Sequence, residues 1–461
     1  MYRQGFRRPD TVCVSEAGQD HLVGIADAGQ SDHFGAPKVL GRGNFADSER
    51  TPWHDIATHG YYVLFAGGLG GRYQEEDGWH KGGDSELHGY ASDDYLSNGI
   101  IGGRNPMCDG PFSRNAVKTY WLQHDACAEL GSAEFLDLKY EGNIHCQHSF
   151  FSDGGEVWAN RQTNATWRLP NGIVLPSYGY YARTRNTESG VVEKDGVRYA
   201  FAKSPKGIFI DARKPSLRRA YGAITYPLRA EAVAPDRLRL HVSWEMTRPA
   251  PDYQPFVHIC NEEADREGIV FQCAMARAKE VFAKAGRYET FIDLAVPAGT
   301  AAGTYRVRYG AWCPKGGHRL PLGGAPTDGG SRIKGGTIEV ARADGKIAGV
   351  MWKPEGSPDE AAARDKLLGV NRTGRAVQFG GIRTDGTFRF ADWTITPLPD
   401  SDAFSAEIDL AAFGAAGRTV AGVDAVEPEK GAAAPTWNQA GNALKVACDA
   451  KSFAYRIRLR D

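Results

Sequence analysis

The sequence lacks a run of about 18 apolar residues, so it offers no membrane-spanning helix. Its first residues, MYRQGFRRPDTVCVSEAG, lack the apolar core of a secretory signal. It lacks a charge excess: 55 Lys and Arg against 56 Asp and Glu leave a net charge of −1, which gives no electrostatic footprint for nucleic acid or an acidic membrane. The eight cysteines, at 13, 108, 127, 146, 260, 273, 313 and 448, contain no CxxC pair, so zinc spacing is absent. They read as small buried residues, with a Cys260–Cys273 or Cys273–Cys313 bridge left open. There is no GxxxxGK[ST] and no GxSxG elbow. Gly67-Gly68-Leu69-Gly70-Gly71 is glycine-rich, but a polar Arg-Tyr-Gln-Glu-Glu loop follows it where a dinucleotide site needs a helix. No cofactor and no metal is therefore expected.

What is present is turn chemistry and rings. Fifty-six Gly, 24 Pro and 11% aromatic residues favour turn-rich β architecture over helix bundles. At 461 residues the chain exceeds one core, and about two to four domains are expected.

The stretch His59–Met107 organises the N-terminal part. It has neither helical nor alternating period between its short apolar ends, Tyr61–Phe65 and Ile100–Ile101, and is read as a long loop held between two buried strands. It carries Tyr73, Trp79, Tyr90 and Tyr95 among the carboxylates Glu75, Glu76, Asp77, Asp84, Glu86, Asp93 and Asp94. Rings that stack on pyranose faces beside carboxylates that hold hydroxyls suit a sugar site. An ordered loop packed on its own aromatics is the alternative.

Thr11–Ser15, Tyr61–Phe65 and Asn98–Gly102 read as three buried strands, each ending in a polar loop, which is the plan of a (β/α)8 barrel. Because Thr11–Val14 enters an apolar run with no lead-in, the chain is expected to begin inside a domain, as a fragment. Ser113–Phe135 reads as a helix with a stripe of Val117, Tyr120, Trp121, His124, Cys127 and Ala128. From His145 the period becomes two. HSFFSDGGEVWANR and VVEKDGVRYAFA read as hairpins turning at Asp153-Gly154-Gly155 and Asp195-Gly196. The expected fold is multidomain, α/β plus all-β: the C-terminal part of a (β/α)8 barrel over 1–140, a small antiparallel β domain over 141–212, a β-sandwich over 213–345 and a β-sandwich-like domain over 346–461.

Glu16 lies where a barrel strand hands over to its loop, a position for a general acid if burial raises its pKa; structural hydrogen bonding is the alternative. Asp20, His21 and Asp27 crowd behind it, with Asp32 and His33. These could suggest a metal, but adjacent Asp and His side chains point apart, and no metal is assigned. Trp79 and Tyr95 are candidate stacking platforms, Asp84 and Asp93 candidate subsite carboxylates, and Arg104 and Asn105 candidate donors to hydroxyls. Asp93-Asp94 also suits a helix N-terminal turn ahead of Tyr95.

VSEAGQDHLVGIADAGQSDH, the GRNPM turn, the Ser113–Phe135 helix and the pair VWANR … LPSYGYYAR resemble the end of a bacterial glycoside hydrolase barrel, distantly like the endo-α-N-acetylgalactosaminidase type. FVHIC, GIVFQC, YRVRYGAW and HRLPLGG resemble accessory modules behind such barrels. The resemblance implies that Glu16 stands at the acid/base position, that the nucleophile lay on a missing earlier strand, and that the chain is inactive alone. It also implies a secreted or periplasmic setting and an oligo- or polysaccharide partner. Two readings follow. One is the C-terminal portion of a glycoside hydrolase, which would place Glu16 and Arg104 in one cleft beside Trp79 or Tyr95. The other is a non-catalytic carbohydrate-binding or surface scaffold protein, which would show aromatic rows exposed on a sandwich face.

Overall fold

A computed structural model describes residues 14–15, 27–31, 56, 58–59, 61, 63–66, 92–106 and 114–460, except 163, 215–221, 247–248, 262–267, 326–331, 356–361, 363–368 and 372. Strand makes up 54% of the described residues and only three helices occur, so the partial (β/α)8 barrel expected at the N-terminus is wrong. Val14–Ser15, Ala28–Ser31 and Val63–Ala66 do pair in parallel, but they form a small open sheet with no barrel closure. Asn98 to Ile100, expected as the third barrel strand, lies in helix α1 (Asp93–Ile100). Ser92 starts that helix by accepting a hydrogen bond from the Tyr95 amide at 3.2 Å. Asp93 and Asp94 then occupy the first turn, where the helix dipole favours acids.

The dominant architecture is antiparallel sheet, in two compact units. The first takes Met1–Trp79 and Asp84–Pro215 together with Leu367–Asp461; the second takes Ser216–Lys366, inserted between the last two, with His80–Gly83. The chain leaves the first unit and returns to it at one place. The Asn371 amide donates to the Arg213 carbonyl at 3.0 Å, and the Asn371 side chain to the Ala212 carbonyl at 3.1 Å. Residues 367–461 are therefore not a domain apart from 141–212. Thr387–Ala391 pairs directly with Gly207–Asp211 and continues the same sheet.

That long sheet runs, in spatial order, Val420–Pro428, Ser452–Leu459, Thr394–Pro397, Thr387–Ala391, Gly207–Asp211, Val197–Ser204, Glu188–Lys194, Tyr180–Arg183, Glu156–Asn160, Cys146–Phe151 and Phe135–Tyr140. Successive side chains face opposite sides, and both sides are covered. Trp158, Tyr181, Val192, Tyr199, Phe201, Ile208 and Ile210 face a five-stranded sheet and pack on its Ile382, Phe404, Ile408, Leu444 and Val446. Their neighbours Val157, Ala159, Tyr180, Ala182, Val191, Ala200, Ala202 and Phe209 face α1 and α2 (Arg114–Leu130) and pack on Tyr95, Leu96, Ile100, Leu122 and Ala126. Ala159, Ala182, Ala200 and Ala202 lie under the helices with Tyr180 and Phe209, and most of the sheet's rings lie under the second sheet, so helices, long sheet and five-stranded sheet make three layers.

The buried face of α2 is rotated from the apolar stripe read in the sequence. It consists of Lys118, Thr119, Leu122, Gln123, Ala126, Cys127 and Leu130. Tyr120 is exposed and stacks on the half-buried His124, with ring centroids 4.4 Å apart. Three polar residues, Lys118, Thr119 and Gln123, thus lie on the buried face; Lys118 sits beside Asp211, and Gln123 donates to the Leu96 carbonyl at 3.1 Å.

The inserted unit is two sheets around one core. Arg237–Met246 alternates cleanly and turns Leu238, Leu240, Val242, Trp244 and Met246 inward. Opposite them, Val257, Ile259, Tyr305, Val307, Tyr309 and Ala311 come from Gln254–Asn261 and Gly303–Cys313. Trp244 meets Phe282, from helix α3 (Ala278–Ala283), and Tyr309 edge-on, at 5.4 and 6.0 Å. The six described cysteines, including Cys260, Cys273 and Cys313, are free thiols, so neither bridge left open by the sequence forms.

Candidate functional site

Those of the residues singled out in the N-terminal part that the structure describes do not form a cleft together. Glu16, Asp20, His21, Trp79 and Asp84 lie outside the described residues. Asp27 is half-buried beside the parallel sheet, and its carbonyl accepts from the Val63 amide at 3.0 Å. Tyr95, at 1% exposure, is a core residue under the long sheet and cannot present a ring to a sugar. Arg104 is equally buried, and its carbonyl accepts from the Cys127 thiol at 3.4 Å. Asn105 extends the parallel sheet by a single bridge to Phe65.

Asp93 is part of a buried charge network. Both its oxygens accept from Arg213, at 2.8 and 2.6 Å, and one also from Arg198 at 3.2 Å. Burial alone would raise its pKa, but the Arg213 and Arg198 guanidinia outweigh that and hold the carboxyl below the usual range. Asp211 accepts from the Thr387 hydroxyl at 2.7 Å and the Arg213 amide at 2.8 Å, with the Lys118 ammonium 3.5 Å away. Burial pushes its pKa up, yet Lys118 and Arg213 bring it down to about 2. Beside them Asp94 pairs with Arg161 at 2.6 Å, and Arg161 also donates to Ser97 at 2.7 Å. Here acids held ionised by cations tie α1 and α2 to the long sheet. A general acid needs a raised pKa, so the acids of this cluster, held ionised by Arg213, Arg198 and Lys118, are not suited to that role and act as an anchor.

Among the described residues, grooves lie on the outer faces of two sheets. One crosses the five-stranded sheet, with a volume of about 530 Å³. Its register aligns Arg383, Glu407, Lys445 and Asn438 across four strands. Lys445 already pairs with Glu407 at 3.4 Å, and Asp385 with Lys214 at 2.8 Å. Trp437, 39% exposed on the edge strand and in register with Val446, also lines this groove.

The other groove, of about 800 Å³, belongs to the inserted unit. Val257 and Ile259 point into the core, so Gln254, Phe256 and His258 point outward from the same strand. Pairing brings Trp312 beside Gln254, Arg319 beside Trp312, and Gln272 beside His258. Gly310 stands opposite Phe256 and adds no side chain, which leaves room next to the ring. Phe256 and His258 stack with centroids 4.6 Å apart, and the Arg319 guanidinium sits 5.4 Å over Phe256. Trp312 is 41% exposed, a large ring presented to solvent at the groove. Among the described residues the lining contains no Asp or Glu. Cys273 is its one thiol, and burial pushes that group up to about 11, far from a nucleophile. Among the described residues no cluster of His, Cys, Asp or Glu is placed to hold a metal. The groove can stack a ring and hydrogen-bond a ligand through amides, an imidazole and a guanidinium; its described lining holds no carboxylate pair of the kind that breaks a glycosidic bond.

These groove residues were not among the sequence-derived candidates. The available signal is the alternation in Gln254–Asn261 and Gly303–Cys313, which places Phe256, His258 and Trp312 on the face opposite the core. Neither the protein-family models nor the curated proteins compared with the chain give a match. No helix among the described residues is long and apolar enough to cross a membrane.

Proposed function

We propose that this protein binds carbohydrate without cleaving it, through the outer sheet face that carries Trp312, Phe256 and His258. The observation behind this reading is the combination on one rigid sheet of an exposed Trp, a stacked Phe–His pair and the amides Gln254 and Gln272, with no carboxylate among the described lining residues. Flat rings bind the apolar face of a sugar, and amides and guanidinium donate to its hydroxyls. A sheet face holds these groups in place, so little ordering entropy is lost on binding. The ligand class is an oligo- or polysaccharide.

The test is a glycan array with the full chain, followed by titration calorimetry of the best ligand against Trp312→Ala. Losing the stacking ring is expected to weaken binding at least about tenfold, or about 1.4 kcal/mol. No glycan bound, or unchanged affinity in the variant, would refute the reading.

A further inference from the structure

We propose that Phe135–Tyr140, an edge strand of the long sheet, pairs antiparallel with the same strand of a second copy of this chain. Among the described residues this strand has one neighbour, Cys146–Phe151. The Glu141 amide donates across to the Cys146 carbonyl at 2.8 Å. Backbone groups turn alternately to the two sides of a strand, so those of Lys139 and Asp137 also face Cys146–Phe151, and those of Leu138 face outward. A bulge between Phe135 and Asp137 interrupts the register, so the regular edge is Asp137–Tyr140, with Leu136 beside it. Leu136 is 56% exposed and Tyr140 37%, large apolar side chains on a strand whose outer side is a template for pairing.

The order of side chains selects a second copy as the partner. In an antiparallel self-pair centred on Leu138, that residue exchanges two backbone hydrogen bonds with its own copy, Asp137 stands opposite Lys139 twice, and Leu136 stands opposite Tyr140. The Asp137–Lys139 positions are the non-hydrogen-bonded ones, where side chains come closest, so opposite charges there support the register and like charges oppose it. Both residues are exposed in the single chain, and Lys139 is held against the sheet face, 4.6 Å over the Phe150 ring. Two longer edge strands lack this complementarity. A centred self-pair of Lys346–Pro354 sets Lys346 against Lys353, and one of Val420–Pro428 sets Asp424 against itself. An edge of this length makes a contact below the standard interface size, so the dimer is reversible and concentration-dependent.

The experiment is analytical ultracentrifugation of the full chain over roughly 1 μM to 1 mM, with hydrogen exchange followed at both ends of the range. A monomer–dimer equilibrium is expected, with the Leu138 amide protected as the dimer fills. Asp137→Lys and Lys139→Asp each set like charges opposite one another and should weaken the dimer at least about tenfold. Combining the two substitutions in one chain exchanges the charges and should restore it. Mixing the two single variants should give a heterodimer, because every facing pair is then of opposite sign; two folded, competent edges are needed for that result, so it also excludes misfolding as the cause of the single-variant loss. A chain that stays monomeric throughout overturns the proposal. So does a dimer that ignores both charge reversals, one that neither the double variant nor the mixture restores, or one that leaves exchange of the Leu138 amide unchanged.

Discussion

Replacing Asp93 with Asn tests whether α1 is held to the long sheet by charge as well as by apolar packing. Asn keeps the size of the side chain and removes its charge. Asp93 is the first residue of α1, so the loss includes a helix-dipole contribution of about 0.3–1 kcal/mol. The larger loss is the carboxylate that Arg213 grips with two bonds and Arg198 with one, among side chains that are all at most 10% exposed. Removing one partner from such a buried cluster costs about 3–5 kcal/mol, because the cations stay buried after the anion is gone. At roughly 2–4 °C per kcal/mol for a large unit, the melting temperature of the first unit should fall by about 6–20 °C. Differential scanning calorimetry would resolve the two units, and hydrogen exchange on the α1 amides would show which transition carries the change. Lys206→Ala, which breaks a pair with a largely exposed ammonium 2.7 Å from Asp125, is the comparison and should not move the transition measurably. A fall of less than about 2 °C in Asp93→Asn would mean that Tyr95, Leu96 and Ile100 hold the helix unaided, and the anchoring argument would fail.

The same network sets an acid limit. Asp211 is depressed to about 2, so its contribution is fully present above its unfolded value near 3.9 and is lost as pH falls through about 2; urea titrations across that window should show a decline of roughly 2 kcal/mol that Asp211→Asn abolishes. Gly207 has φ +134 and an ideal Cβ there would stand 2.5 Å from the Phe390 carbonyl, so Gly207→Ala should destabilise the first unit by about 1–3 kcal/mol, and an unchanged urea midpoint would contradict the pairing with Thr387–Ala391. Because residues 213 and 371 are hydrogen-bonded neighbours, replacing residues 216–366 by a short Gly/Ser linker should leave a cooperatively unfolding first unit, whereas a molten product would show that the insert is needed for its fold.

Local rules of the sequence reach some elements and miss others for identifiable reasons. The Asp195-Gly196 turn is legible because both residues take positive φ, 53° and 72°, which an Asp-Gly pair tolerates, and the flanking strands pair in register around it. The alternation of Arg237–Met246 is legible because one face is buried and the other is not. In the long sheet both faces are buried, so Tyr199-Ala200-Phe201-Ala202 reads as a plain apolar run; only the alternation of ring and methyl hints at two different covering layers. Helix α2 misleads because an apolar count cannot see that Lys118 and Gln123 are buried with partners. Ile100-Ile101 looks like a strand, although the Ser92-Asp93-Asp94 cap ahead of it already argues for a helix.

The barrel expectation fails for a different reason, one of distance along the chain. Three short parallel strands are present, and read alone they suit a β/α plan. What overrides them is the pairing of Gly207–Asp211 with Thr387–Ala391 across an insertion of some 150 residues, which no local pattern announces. Once that pair is formed, the C-terminal strands can cover one face of the long sheet with rings, and α1 and α2 are left to cover the other. The carboxylates at the start of α1 then fall inside the molecule, where only cations can hold them ionised, and that rules them out as subsite groups. The proposed ligand surface lies on the inserted unit, on the sheet face opposite its core. Trp312 can stay 41% exposed there because Tyr309 and Ala311 on the same strand already fill the core.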